Sequence, residues 1–100
     1  PVLSENDPLH LVSAAEMEPM PEKKLPFLVK ATELAPSFEI AHYLLAHCHE
    51  VLFRQRDELS LERARVVVDK YNEVLALNPG NIASLVAKGH IFWLSQQLDK

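Results

Sequence analysis

Cysteine, glycine, basic charge and long apolar runs are all scarce in this chain, and each shortage excludes something. One cysteine, Cys48, among 100 residues rules out an internal disulfide framework. That fits a reducing compartment, and the expected location is cytoplasmic. Two glycines leave little material for the left-handed turns of hairpin-rich β folds. No apolar stretch nears the ~20 residues of a membrane-spanning helix. The first residues, Pro1-Val2-Leu3-Ser4-Glu5, lack the charge and apolar block of a secretory leader. No membrane partner is expected. Ten Lys and Arg stand against fourteen Asp and Glu, a net charge of −4. No basic stripe is offered to a phosphate backbone, so no nucleic acid is expected either. The chain does not begin with Met, which reads as a processed or excised part of something longer.

Catalytic motifs are missing as well. The sequence holds no Gly-rich phosphate loop, no Gly-x-Ser-x-Gly and no His-Glu-x-x-His. Cys48 and His49 are neighbours on a helical pattern, so their side chains diverge by ~100° and cannot act as nucleophile and base. The chain is not expected to be an enzyme.

What is present is helical periodicity punctuated by proline. Apolar residues make up 48%, enough for a modest core. Asp7-Pro8 opens a first helix, with Asp as N-cap and Pro at the first helical position, running to about Met17. Pro19 and Pro21 break it. A second helix ends at Leu34, before Ala35-Pro36. Because Pro26 would fall inside it, its regular part is expected to start only at Leu25-Pro26. Ser37 caps a third helix from Phe38 to about Arg54, apolar nearly all round and therefore covered on several sides. A turn is expected in 56–60, with Ser60 as the next N-cap. The fourth helix, Leu61 to Leu77, has the clearest pattern: Ala64, Val67, Val68, Tyr71, Val74 and Leu75 share one face. Asn78-Pro79-Gly80-Asn81 ends it and caps a fifth, from Ile82 to about Gln97. The expected class is all-α.

The turn Glu33-Leu34-Ala35-Pro36-Ser37 corresponds to Ala76-Leu77-Asn78-Pro79-Gly80. Ten residues after each proline stands a small residue, Ala46 or Gly89, and thirteen after stands a ring, His49 or Phe92. With His42, Leu45, Val67, Tyr71, Leu85 and Pro79, this resembles the tetratricopeptide repeat, whose small residues let paired helices approach. Pro36 and Pro79 are 43 positions apart, against ~34 in that family, and the surplus falls near Phe53–Leu61. The resemblance implies antiparallel helix pairs stacked as a short right-handed superhelix of about five helices. Residues 1–100 form a single region: 7–36 is a degenerate repeat, 37–79 a long one with an insertion, and 80–100 the first helix of a further repeat. It also implies that Gly89 sits where two helices cross closely.

The same resemblance implies a function and a binding face. First helices of successive repeats line the concave surface, at positions that here are Tyr43, His47 and Glu50, then Val86, His90 and Trp93. Members that clamp a chaperone's C-terminal carboxylate use Lys and Asn there. This set suits instead an apolar or aromatic-bearing peptide, or another part of the parent protein. The expected function is a protein–protein interaction scaffold with a protein or peptide partner; the alternative is a regulatory or docking arm of a larger enzyme.

His42, His47, Cys48, His49 and Glu50 invite a metal reading. A single helix chelates through ligands three or four apart. His42 and His49 are about 10 Å apart along the axis, and Cys48 has no His at three or four. These residues read as packing or groove-lining, with no metal and no cofactor. The fifth helix raises a last expectation. Leu85, Ile91, Phe92, Trp93 and Leu94 cannot all be covered by one preceding pair, so this face is expected to be covered by a second copy, a partner or further sequence.

Overall fold

The computed structural model describes residues 7–55 and 60–98, and every element among them is an α-helix. The Asp7 carboxylate accepts from the Leu9 amide at 2.9 Å and Pro8 takes the first helical position, starting α1 (Pro8–Met17). Pro21 does the same for α2 (Pro21–Leu34), with Glu22 favourably placed in the first turn. α2 is therefore regular from Pro21, not from Leu25. Pro26 removes one backbone donor, but both it and Glu22 are exposed, so the carbonyl that loses its partner lies on the wet side.

α3 (Glu39–Gln55) follows a turn closed by the Phe38 amide on the Ala35 carbonyl. Ser37 lies inside that turn, and no capping bond from it is seen among the described residues. The expected turn at 56–59 lies outside the described residues. Ser60 caps α4 (Leu61–Leu77), accepting from the Arg63 amide at 3.2 Å. Asn81 caps α5 (Ile82–Leu98), accepting from the Ser84 amide at 3.0 Å.

Each helix packs principally on its neighbours in the chain. Two cores result, and α3 feeds both. One gathers Leu11, Val12 and Ala15 of α1, Leu28 and Ala31 of α2, and Ala41, Leu45 and Cys48 of α3. The other gathers Ala46 and Phe53 of α3, Ala64, Val67, Tyr71 and Val74 of α4, and Ile91 of α5. Five of these core residues are alanines, which let the helices approach to the ~8–10 Å of close packing. This serial arrangement is elongated, 55 × 30 × 17 Å, with a radius of gyration of 14.1 Å against ~13 Å for a compact chain of this length. The turns are also tied in series. Glu39, in the first turn of α3, accepts from the side chains of Asn78 and Asn81 at 3.0 and 2.8 Å. Those bonds hold its carboxyl below the usual carboxylate value.

Gly89 departs from expectation. It is exposed, and a Cβ built on it would meet nothing within 4 Å. Its counterpart Ala46 is fully buried because α4 covers that side of α3. No described helix covers the same side of α5. Gly89→Ala is therefore expected to stabilise the chain by up to ~1 kcal/mol through helix propensity alone, and Gly89→Leu should stabilise it too. Denaturant melts check this; a clear loss with Leu would mean that Gly89 is crowded after all.

Candidate functional site

On α3, Tyr43, His47 and Glu50 stand four and three apart and share a face. Their surroundings differ. Tyr43 is half-buried, with its ring 6.3 Å from the His47 ring in a stack and 6.2 Å from Tyr71 at a tilt. His47 is exposed. Glu50 is committed: one oxygen accepts from the Tyr71 hydroxyl at 2.6 Å, the other from Arg54 Nε at 2.9 Å. Burial first, then this carboxylate, push the Tyr71 phenol far above its usual value. Glu50 thus anchors α4 to α3.

On α5, Val86, His90 and Trp93 also share a face, and all three are exposed, Trp93 by 59%. The 43-residue offset pairs Tyr43 with Val86, His47 with His90 and Glu50 with Trp93. The structure brings Tyr43 and His47 together; the α5 trio stands on its own helix.

The histidines of α3 have separate environments. His42 Nε2 bonds the Pro36 carbonyl at 2.8 Å, and its Nδ1 is 3.8 Å from Glu73, too long for a hydrogen bond. His47 stacks on Tyr43. His49 is half-buried, and burial, with Lys70 adding to it, lowers its pKa. Among the described residues, no three His, Cys, Asp or Glu gather as a metal site. The Cys48 thiol donates to the Pro21 carbonyl at 3.0 Å, and burial raises its pKa.

A pocket of about 290 Å³ opens between α1, α2 and α3. Leu28, Leu44 and Cys48 contribute its apolar wall; Glu16, Lys24 and His47 supply polar groups. His47 therefore belongs both to the expected face and to this pocket. Leu44, His47, Cys48 and Val51 line it at helical spacing. That stripe is legible in the sequence, but it looks like ordinary core until α1 and α2 are placed beside it.

No family model matches the chain, and no curated protein or solved structure matches it either. Among the described residues, no helix is long and apolar enough to cross a membrane.

Proposed function

We propose that this chain is a helical repeat of the tetratricopeptide type, a non-catalytic cytoplasmic interaction module that binds a peptide segment of a partner protein. The observation that carries the reading is His47. It stacks on Tyr43 and lines the pocket between α1, α2 and α3. A pocket of about 290 Å³ lies at the small end of ligand sites, which suits one large apolar side chain. Lys24 and Glu16 then orient the backbone or flanking charges of the segment. Val86, His90 and Trp93 extend the same kind of surface along α5.

Peptides selected from a random library against the chain test this. A binding segment is expected to carry an aromatic or large aliphatic anchor. His47→Ala and Leu44→Trp, the latter filling the pocket, should each weaken binding about tenfold, or ~1.4 kcal/mol, with helicity retained. Trp93→Ala should weaken longer peptides more than short ones. Selected peptides that bind all three variants as well as the parent would overturn the proposal.

A further inference from the structure

A second surface lies on the flank made by α4 and α5. A groove of about 460 Å³ runs between these helices, lined by Leu61, Val68 and Phe92 and bordered by Arg65 and Asp69. Leu61 is 41% and Phe92 50% exposed. Arg65 and Asp69 are four apart on α4, hence on one side of it. Both are exposed, and among the described residues neither is within ion-pair distance of an opposite charge. α5 carries a single Lys or Arg, Lys88, and no acid, so it adds little charge to oppose an approaching chain.

We propose that this flank is a two-fold interface whose occupant is a second copy of the chain. In an isologous contact, residue i meets residue j and j meets i. If the two α4 helices run antiparallel with the axis level with residue 67, Arg65 of each copy faces Asp69 of the other. These charges then form two reciprocal ion pairs, with Leu61, Val68 and Phe92 of both copies beside them. The same two charges on any unrelated helix would need a matching order of acid and base; the chain already carries it. The face of Tyr43 and His47 stays open in this dimer, so peptide binding and dimerisation are separable.

The surface is small for a stable dimer. Two helices of 17 residues side by side present on the order of 500 Å² per copy. A standard stable complex buries ~800 Å² per partner. A contact of this size belongs with weak, transient interfaces, and the test covers a Kd on the order of 10–100 µM.

Sedimentation equilibrium of the 100-residue chain from roughly 1 to 500 µM, bracketing that Kd, is the test. The mean mass should rise toward the dimer with concentration. Arg65→Asp and Asp69→Arg, both at exposed positions, should each weaken association about tenfold or more by replacing attraction with like-charge contact. The double variant R65D/D69R restores both pairs with reversed signs and should return to within about threefold of the parent. An equimolar mixture of the two single variants should associate more tightly than either alone, because one then carries two acids and the other two bases. A strictly monomeric chain, a dimer indifferent to both reversals, or single defects that the double variant does not repair would each overturn the proposal.

Discussion

Tyr71→Ala is expected to remove about 3–5 kcal/mol of stability, the range for deleting a large buried ring. Tyr71 is completely buried in the core shared by α3, α4 and α5. It also makes the 2.6 Å hydrogen bond that joins α4 to Glu50 of α3. A domain of this size has ~5–15 kcal/mol in total, so the variant should be partly unfolded near 37 °C. Tyr71→Phe separates the two contributions. It keeps the packing and loses a hydrogen bond to a charged acceptor, worth ~1.5–3 kcal/mol. pH offers an independent reading. The phenol's pKa is raised in the folded chain, chiefly by burial and then by Glu50. The unfolded chain therefore loses this proton first as pH rises past ~10. The stability that Tyr71 contributes is complete below that value and declines above it. Urea melts at pH 7 and above pH 10 would show the parent losing this increment and Tyr71→Phe losing much less. A Phe variant as stable as the parent at pH 7 would remove the hydrogen bond from the account.

Ala46→Leu is expected to cost about 1–3 kcal/mol by overpacking. Ala46 has no exposed surface and sits in the same core as Ala64 and Tyr71. Three added carbons have nowhere to go without pushing α3 and α4 apart. The equivalent change 43 positions later, at Gly89, has the opposite expected sign because that side of α5 is open. Opposite signs at positions 43 apart would show that matching small residues are covered on α3 and open on α5. Chemical denaturation of the two variants decides it. A harmless Ala46→Leu would mean that α3 and α4 are looser than their buried alanines imply.

Much of the fold was legible because it is local. Asp7-Pro8, Ser60 and Asn81 announce helix starts through bonds to amides two or three residues away. The periodic run from Ala64 to Leu75 places one side of α4 inward without reference to anything else. The candidate site was legible only in part. The shared face of Tyr43, His47 and Glu50 follows from helical spacing, but the spacing could not show that Glu50 is held by Tyr71, 21 residues away. The pocket was not legible, because its walls come from α1, α2 and α3.

By itself the sequence determined where helices begin and end and which side of each is apolar, since caps, prolines and the ~3.6-residue period act within a few residues. The start of α2 was the exception: Pro26 reads as a break locally, and the helix runs through it with Leu28 and Ala31 buried against its neighbours. Only the tertiary structure decided which apolar sides are covered. Ala46 and Gly89 carry the same signal, yet one is in a core and the other in water. Burial belongs to a pair of surfaces, and the second surface is present for α3 and not for α5 among the described residues.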